Sequence, residues 1–268
     1  MIRVVSTQTP SRKYDCVRRH RAIEKLVVRQ SSLGEERLYY RFRRDRWYGG
    51  IFTSDCSGCG LLCKFCWLSE QAFYRPHQIG RYYSSVEVAS RLIEGARQCG
   101  LRQLRISGGE PTIGRRHLLE VLDELMRQSC SKFILETNGI LIGSERDYAE
   151  QLSIYPFLHV RVSFKGCSEN EFESLTGAEP EGFTLQLHAL RRLVEAGVSC
   201  HAAVMTSFST NNALEMFRRR IGGINPRLAN VTEIEEVILY RQVVKRMKRY
   251  GIQPSVSHLP SRVPAQLV

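Results

Sequence analysis

The run Cys56-Ser-Gly-Cys59-Gly-Leu-Leu-Cys63-Lys-Phe-Cys66-Trp67 places three cysteines, Cys59, Cys63 and Cys66, within eight residues. Thiolates that converge from one tight loop suit an iron-sulfur cube. Structural zinc would need a second Cys or His pair about 12 to 20 residues away, and the sequence has none at that distance. The loop therefore predicts an iron-sulfur cluster, and zinc is the weaker interpretation.

The composition describes an ordinary globular chain. Its 268 residues, 43% of them hydrophobic, suffice for one α/β domain or two small ones. Residues 1–10 are polar and lack an apolar signal core, so we expect a reducing, cytoplasmic location without a membrane span. The cysteines at positions 16, 99, 130, 167 and 200 are scattered singly, which predicts buried apolar residues and not a disulfide framework.

Strand-like runs alternate with helix-like runs, the pattern of a parallel sheet with crossover helices. The predicted strands are residues 51–55, 101–107, 132–137, 159–165 and 198–206, and residues 234–240 fit either a sixth strand or a helix. The predicted helices are residues 84–99, 115–128, 183–196 and 211–220. Ser84 and Glu87 form a capping-box pattern at the first of these helices. Five or six β/α units fit the length.

Alternate residues of a barrel strand face the lumen. One face of the predicted strands is apolar, whereas the other carries Arg105, Ser107, Glu136, Asn138, Arg161, Ser163, Lys165 and His201. A closed eight-stranded barrel fills its lumen with branched apolar side chains. A polar lumen therefore predicts an open, partial barrel that holds a polar ligand. Internal ion pairing of Arg105, Glu136 and Arg161 is an equally open interpretation.

Two short motifs follow predicted strands. In Ser107-Gly108-Gly109-Glu110-Pro111 the glycines allow close backbone approach to a ligand, the carboxylate suits an ammonium group, and proline is expected to start the next helix. Glu136-Thr137-Asn138-Gly139 ends the third strand, although Asn-Gly is also a common turn.

The cysteine loop, followed about 40 residues later by Gly-Gly-Glu-Pro, resembles the radical S-adenosylmethionine (radical SAM) superfamily. The resemblance implies an α/β fold: a partial (βα)5–6 radical SAM barrel over residues 51–268, with residues 1–50 as a basic N-terminal extension packed on it. It implies one [4Fe-4S] cluster on Cys59, Cys63 and Cys66, with S-adenosylmethionine at the fourth iron. The cofactor-binding residues implied are Phe65 beside the adenine, Gly108, Gly109, Glu110, Pro111, Glu136, Asn138, Ser163 and Lys165.

The resemblance also implies the reaction. An electron donor such as flavodoxin or ferredoxin reduces the cluster, S-adenosylmethionine is cleaved, and a 5'-deoxyadenosyl radical abstracts hydrogen from a substrate. Ser163-Phe164-Lys165-Gly166 is similar to the corresponding strand of glycyl-radical activating enzymes and of the wyosine-forming tRNA enzyme. Ser163 replaces the aspartate usual in the first group, and the second group's upstream cysteine trio is missing. Lys165 is expected to approach the methionine carboxylate.

Charge is the only indication of the substrate. Residues 1–50 hold 13 of the basic side chains against 5 acidic ones. Residues 39–48 interleave Arg41, Arg43, Arg44 and Arg46 with aromatic residues, which suits phosphates and unpaired bases but also an edge strand with its arginines in water. The basic residues 241–249 are expected to be a solvated helix face.

We predict Arg161, Lys165 and His201 as catalytic or substrate-binding residues for an anionic substrate, with a nucleotide or RNA favoured over a protein glycine. Three alternatives stay open: a glycyl-radical activating protein, a non-catalytic iron-sulfur electron carrier, and a basic RNA-binding module. An electron carrier would need the cysteines but not Gly108 to Pro111, and an RNA-binding module would need neither.

Overall fold

The structure is a computed structural model that describes residues 13–32 and 34–267. The polar segment 1–10, on which the predicted location depends, lies outside the described residues. In chain order the strands are β1 (Val28–Ser31), β2 (Gly34–Asp45), β3 (Ile51–Cys56), β4 (Arg81–Tyr83), β5 (Gln103–Gly108), β6 (Lys132–Thr137), β7 (Leu158–Phe164), β8 (Ser199–Met205), β9 (Glu233–Glu235), β10 (Val237–Ile238) and β11 (Ser257–His258).

The helices surround these strands. They are α1 (Cys16–Val27), α2 (Glu70–Tyr74), α3 (Ser85–Gln98), α4 (Arg115–Arg127), α5 (Ile140–Ser144), α6 (Tyr148–Leu152), α7 (Glu169–Thr176), α8 (Glu181–Glu195), α9 (Asn211–Gly222), α10 (Pro226–Asn230) and α11 (Arg241–Tyr250). The predicted capping box is present: Ser84 accepts a hydrogen bond from the Glu87 amide, and Glu87 accepts one from the Ser84 amide at 2.8 Å.

One curved sheet organises the described residues. Its order is β1-β2-β3-β5-β6-β7-β8-β9, and β4 pairs with β2. The strands from β3 and β5 through β9 are parallel neighbours, and helices connect them along the chain. Within the described ranges β9 does not pair with β1, so the barrel is open. The predicted partial barrel is confirmed.

The basic N-terminal segment joins this sheet directly. β2 runs antiparallel to β3 from Tyr39 to Asp45, with a β-bulge between Tyr39 and Arg41. A bulge shifts the alternation of side chains along a strand. The predicted boundary at residue 50 therefore falls between two hydrogen-bonded strands of one sheet, and the division into 1–50 and 51–268 stays a prediction.

The two faces of the parallel strands differ as the alternation predicts. On the helix side Ile106, Leu135, Val162 and Val204 are fully buried in one continuous apolar core. The opposite face carries the polar side chains. Burial of branched apolar residues under the helices supplies the driving force for the fold, and it leaves the polar face toward an internal cavity.

Three local expectations were wrong or incomplete. Pro111 does not start a helix: a turn follows it, and α4 begins after Gly114, which adopts a left-handed conformation. Residues 234–240 form neither one strand nor a helix, because the chain is divided between β9 and β10. Of the scattered cysteines, Cys16 and Cys167 are buried as predicted, whereas Cys99, Cys130 and Cys200 pack against the core but are only partly buried. No described helix is both long and apolar enough to span a membrane.

Candidate active site

The carboxyl ends of the parallel strands open into a cavity of about 950 Å³. Most residues predicted for a site meet there, although they come from separate strands and loops. The predicted residues that line the cavity are Cys59, Cys63, Phe65, Cys66, Gly108, Gly109, Glu110, Glu136, Asn138, Arg161, Ser163 and Lys165. Pro111 and His201 lie outside the lining.

Distant elements hold the cysteine loop in place. The Leu62 amide donates to the Tyr14 hydroxyl at 2.8 Å, and the Lys64 amide donates to the Leu175 carbonyl at 2.9 Å. From α11, the Arg246 guanidinium donates to the carbonyls of Cys66 and Leu68. The loop lacks regular secondary structure, so these contacts fix the backbone that carries the thiols.

The three thiols project from one short loop, the arrangement from which thiolates bind an iron-sulfur cube. Burial raises the pKa of Cys63 to about 12, although Lys165 opposes the shift. Such thiols ionise when a metal replaces the proton. Among the described residues no three His, Cys, Asp or Glu side chains converge on one metal position. In a cube each thiolate binds a different iron, so convergence on one point is not required.

The Gly-Gly-Glu motif is attached to the cysteine loop. The Gly109 amide donates to the Cys56 carbonyl at 2.8 Å, and the Glu110 amide donates to the Gly58 carbonyl at 2.7 Å. A Cβ atom on Gly109 would lie 2.2 Å from the Gly58 oxygen. The sequence predicted that the glycines allow close approach of the backbone to a ligand. At Gly109 the backbone approaches the backbone of the cysteine loop, which explains why this position requires glycine.

The Glu110 carboxylate is buried and oriented by its own chain. One oxygen accepts hydrogen bonds from the Thr112 amide and hydroxyl and from the Thr137 hydroxyl. Within the described residues the other oxygen accepts one hydrogen bond, from the Asn138 backbone amide at 2.7 Å. An ionised carboxylate has about four acceptor positions, so the second oxygen keeps capacity for an ammonium group.

Asn138 connects a buried histidine to a cysteine sulfur. The His20 Nδ1 lies 2.6 Å from the Cys16 carbonyl, which fixes the proton on Nδ1 and leaves Nε2 as an acceptor. The Asn138 side-chain amide nitrogen, Nδ2, donates to that Nε2 at 3.0 Å and to the Cys59 sulfur at 3.6 Å. Hydrogen bonds to cluster sulfurs raise reduction potentials. Gly60 makes room for the imidazole, since a Cβ there would lie 2.1 Å from it.

Lys165 and Phe65 complete this side of the cavity. The Lys165 ammonium donates to the Ser163 hydroxyl, and its charge opposes the burial effect on the pKa of Cys66. Phe65 packs on Phe208 with ring centroids 5.6 Å apart. The cofactor wall is the set Cys59, Cys63, Phe65, Cys66, Gly108, Gly109, Glu110, Asn138, Ser163 and Lys165.

Residues 53–221, well over half of the chain, match the radical SAM superfamily. The chain belongs to the radical SAM superfamily. The matched region begins in β3 and includes the cysteine loop, the Gly-Gly-Glu motif and β5 through β8. The family predicted from the two motifs is thereby confirmed. Relatives within the superfamily bind S-adenosylmethionine and a [4Fe-4S] cluster.

Curated relatives of this radical SAM chain carry the name GTP 3',8-cyclase. A probable GTP 3',8-cyclase of Saccharolobus solfataricus is 24% identical over 140 residues, which are 52% of this chain and 42% of the relative. The GTP 3',8-cyclase of Peptoclostridium acidaminophilum is 27% identical over 169 residues, 62% of this chain and 45% of that protein. The chain thus spans less than half the length of these relatives.

Solved structures share the radical SAM fold at low sequence identity. Streptococcus suis SuiB bound to S-adenosylmethionine aligns with a TM-score of 0.55 and 15% identity, over 72% of this chain and 44% of SuiB. HydG, a maturase of the [FeFe]-hydrogenase, aligns with a TM-score of 0.55 and 13% identity, over 73% of this chain and 45% of HydG. These similarities concern the fold alone.

Next to the cofactor wall, the radical SAM cavity has an ion-pair wall made of two networks, and the Ser163 hydroxyl joins the two walls by donating to Glu235 at 2.9 Å. In the first, Arg105 donates to Glu136 at 2.9 Å and to Asp45 at 2.5 Å. The Tyr48 and Ser107 hydroxyls donate to Glu136 at 2.8 and 2.7 Å. Burial would raise the pKa of Glu136, but Arg105 and Arg161 together with these hydroxyls lower it to about 2.

The second network joins β7, β8 and β9. Arg161 donates to Glu233 at 2.9 Å and to Glu235 at 2.8 Å. Burial opposes the guanidinium charge, but the two glutamates hold the pKa of Arg161 well above its usual range. His201 lies behind Glu233, with Nε2 2.8 Å from the carboxylate and Nδ1 2.7 Å from the His159 Nε2. The interpretation of Arg161 as an ion-paired residue therefore fits the geometry better than a free anion-binding role.

The arginine-aromatic segment 39–48 is mainly strand β2. Arg41 and Arg43 line the cavity and donate to the buried Asp55 carboxylate at 2.6 and 3.0 Å. Arg46 also lines it, near the Pro260 carbonyl. Arg44 faces away from the cavity, because strand alternation places it on the side of Phe42. The four predicted arginines therefore do not form one cluster.

Three functional candidates were missed in the sequence. Glu233 was missed because the predicted sixth run began at residue 234. Glu235 lies within that run, but the run fitted either a strand or a helix, so no face was assigned to it. Arg246 was assigned to a solvated face, yet its side chain is fully buried, stacks 4.1 Å from the Phe73 ring and reaches the cysteine loop. The helical spacing of Arg246 with Val243 and Met247, both buried, was the available signal.

Proposed function

We propose that this chain is a radical SAM enzyme whose [4Fe-4S] cluster is bound by Cys59, Cys63 and Cys66. The observation that carries the proposal is the meeting of these thiols with Gly108, Gly109 and the partly satisfied Glu110 carboxylate in one cavity. When bound, the cluster supplies the electron that cleaves S-adenosylmethionine to the 5'-deoxyadenosyl radical, which takes hydrogen from the substrate.

Each residue of the cofactor wall has a role in this proposal. Glu110 accepts the ammonium of the methionine moiety at its second oxygen, and Lys165 approaches the carboxylate. Phe65, fixed by Phe208, flanks the adenine. Asn138 orients toward the Cys59 sulfur, and Ser163 fixes the Lys165 ammonium.

For the substrate we propose a nucleotide. The GTP 3',8-cyclase relatives favour this class, although they match over less than half their length. The cavity lining carries six basic and six acidic side chains: Arg41, Arg43, Arg46, Arg105, Arg161 and Lys165 against Asp45, Glu110, Glu136, Glu233, Glu235 and Glu236. Arg41, Arg43, Arg105 and Arg161 are already paired with carboxylates. Phosphates would therefore contact Arg46, an exposed arginine whose side chain has no carboxylate partner within the described residues.

The proposal is tested with anaerobically reconstituted, dithionite-reduced protein, S-adenosylmethionine and GTP. We expect 5'-deoxyadenosine, and deuterium from labelled GTP in that product. Glu110→Ala should weaken S-adenosylmethionine binding at least about tenfold with iron content unchanged, as expected for loss of one charged hydrogen bond. Absence of 5'-deoxyadenosine under all these conditions would refute an enzyme.

Matched arginine variants test the substrate class. Arg46→Gln should raise the GTP concentration needed for deuterium transfer, whereas Arg44→Gln, on the other face of β2, should leave it unchanged. Cleavage of S-adenosylmethionine without deuterium transfer from GTP would support the proposed radical SAM activity but contradict GTP as the substrate.

A further inference from the structure

Helix α11 is unusually basic for its length. Its ten residues, Arg241–Tyr250, include five cations, and the sequence of the helix contains no acidic residue. Like charges spaced along a helix destabilise it. Tertiary contacts must offset this repulsion, and they do so on the inner face, where Val243, Arg246 and Met247 are buried.

The inner face of α11 lies against the end of the cysteine loop. Arg246 donates to the carbonyls of Cys66 and Leu68, and Gln242 donates to the Trp67 carbonyl at 2.7 Å. The helix therefore contacts the three residues Cys66, Trp67 and Leu68 in succession. Since a helix is about 10 Å across, its outward side chains stand roughly one helix diameter from Cys66.

The outward face carries a row of uncompensated cations. Arg241, Lys245 and Lys248 are exposed and follow the spacing that places residues on one side of a helix. Within the described part of the chain none of the three has an acidic partner. On α9, by contrast, Arg219 pairs with Glu215 and Arg220 pairs with Glu169. The charge of α11 thus stays available to a partner.

One exposed apolar side chain accompanies the cations. Val244, between Arg241 and Lys245 in the sequence, is 45% exposed. The Trp67 ring is not counted here, because it lines the cavity with Arg41 5.7 Å from its centroid. The α11 surface is defined as Arg241, Val244, Lys245 and Lys248. A small apolar group among cations fits a brief electrostatic encounter better than a permanent interface.

We propose that the α11 surface docks an acidic, low-potential one-electron carrier protein of the flavodoxin or ferredoxin type. This inference rests on the proposed function. In the encounter one electron leaves the reduced flavin or iron-sulfur centre of the carrier and reduces the [4Fe-4S]2+ cluster to [4Fe-4S]+, and no covalent bond forms or breaks. Complementary charge accelerates association, and the inner contacts of α11 place the docking surface over the end of the cluster loop.

The test compares two triple variants of the reconstituted full chain. The surface variant is Arg241→Gln, Lys245→Gln and Lys248→Gln. The control variant is Arg97→Gln, Arg102→Gln and Lys132→Gln, which removes three exposed cations at the amino ends of the strands, opposite the cavity. Glutamine is a good helix former, and removal of like charges relieves repulsion in α11.

The probe is an acidic flavodoxin reduced to its hydroquinone. For the surface variant we expect flavodoxin affinity to fall about tenfold at low salt, a flatter salt dependence, and an equal loss of flavodoxin-driven 5'-deoxyadenosine formation. Dithionite-driven formation should be unchanged, and the control variant should resemble the wild type.

The outcomes separate the two proposals. Unchanged flavodoxin affinity in the surface variant, or an equal loss in the control variant, overturns the docking surface while dithionite-driven cleavage still supports the enzyme. Loss of binding to a single-stranded RNA oligonucleotide with flavodoxin binding intact reassigns the surface to nucleic acid. If dithionite yields no product in the wild type, the proposed function fails, and flavodoxin affinity alone reports on the surface.

Discussion

The two walls of the cavity differ in the bonding capacity of their polar groups. On the ion-pair wall Arg105 has Glu136 and Asp45 as partners, and Arg161 has Glu233 and Glu235. On the cofactor wall the thiols of Cys63 and Cys66 interact with backbone amides but with no hydrogen-bonding side chain of the described residues. One oxygen of Glu110 accepts a single hydrogen bond there.

This difference separates two uses of buried polarity. A buried charge with its partners in place is rigid, and its removal is costly because the partners stay behind. A buried polar group that lacks some of its hydrogen-bond partners lowers the stability of the fold. Such a group is expected where a ligand supplies the missing partners. Bonding capacity, more than polarity, distinguishes the part of this lumen that we assign to the cofactor.

The largest expected effect concerns the thiols of the cofactor wall. Changing Cys59, Cys63 or Cys66 to Ser should each remove most of the iron and the brown colour of the anaerobically reconstituted protein, because a cube loses one of its three protein ligands. Iron analysis and absorbance spectra measure the effect.

Cys56 is the matched control for that experiment. It lies at the start of the same loop, is fully buried and is not part of the cavity lining. Cys56→Ser should therefore keep the cluster. Equal iron loss in all four variants would indicate a four-cysteine cluster without an open iron, and the distinction between open and satisfied groups would fail.

A smaller effect is expected for the ion-pair wall, and it should depend on pH. The pKa of Glu136 in the fold is about 2, below the ordinary value of 4.5. Its stabilisation is therefore complete above about pH 4.5 and is lost as the pH falls toward 2. The shift corresponds to about 3 kcal/mol, at about 1.4 kcal/mol per pKa unit. Glu136→Gln should lower the free energy of unfolding at pH 7 and flatten its decline in acid.

Urea unfolding from pH 7 to pH 3 measures this loss. Glu215→Gln, which breaks an exposed ion pair with Arg219 on α9, should change stability by less than about 1 kcal/mol. If the free energies of unfolding of Glu136→Gln and Glu215→Gln changed in parallel with pH, the ion pairs of the ion-pair wall would stabilise the fold no more than an exposed ion pair does.

The smallest expected effect concerns His20, a buried residue whose contact with Asn138 supports the Cys59 thiol of the cofactor wall. His20→Leu removes the acceptor that orients the Asn138 amide toward the Cys59 sulfur. Fewer hydrogen bonds to sulfur should make the cluster's midpoint potential more negative. A redox titration followed by electron paramagnetic resonance measures the potential.

Two comparisons isolate that effect. His117 is also fully buried and bonds a backbone carbonyl, that of Glu35 at 2.9 Å, so His117→Leu should leave the potential unchanged. In an Asn138→Ala background His20→Leu should add no further shift. An additive shift would mean that His20 acts by a route other than Asn138.

The parallel strands were predictable because each one combines period-2 alternation with burial on one side. Residues 132–137 were predicted and observed as a strand with the same bounds. The site residues at strand ends followed from that alternation, since Glu136, Arg161 and Lys165 all reached the cavity.

What the sequence did not predict were partners far apart in the chain. The pairing of Arg161 with Glu233 joins residues 72 positions apart, and no periodicity within one strand indicates such a pair. The place of β2 in the sheet also depended on pairing across a bulge at Tyr39, which local propensity does not specify. Whether Glu110 keeps an open oxygen was likewise decided by Thr112 and Thr137 in three dimensions.

The hydrogen bonds from Arg246 to the cysteine loop constrain when, during synthesis of the chain, the loop can reach its final conformation. The contact from Arg246 to the Cys66 carbonyl joins residues 180 positions apart. During synthesis from the amino terminus, the cysteines emerge long before α11, so the loop is anchored in its final form only after that helix has left the ribosome. If the proposed cluster is bound there, we expect its stable insertion to follow translation, and a nascent chain stalled before residue 241 should hold iron poorly.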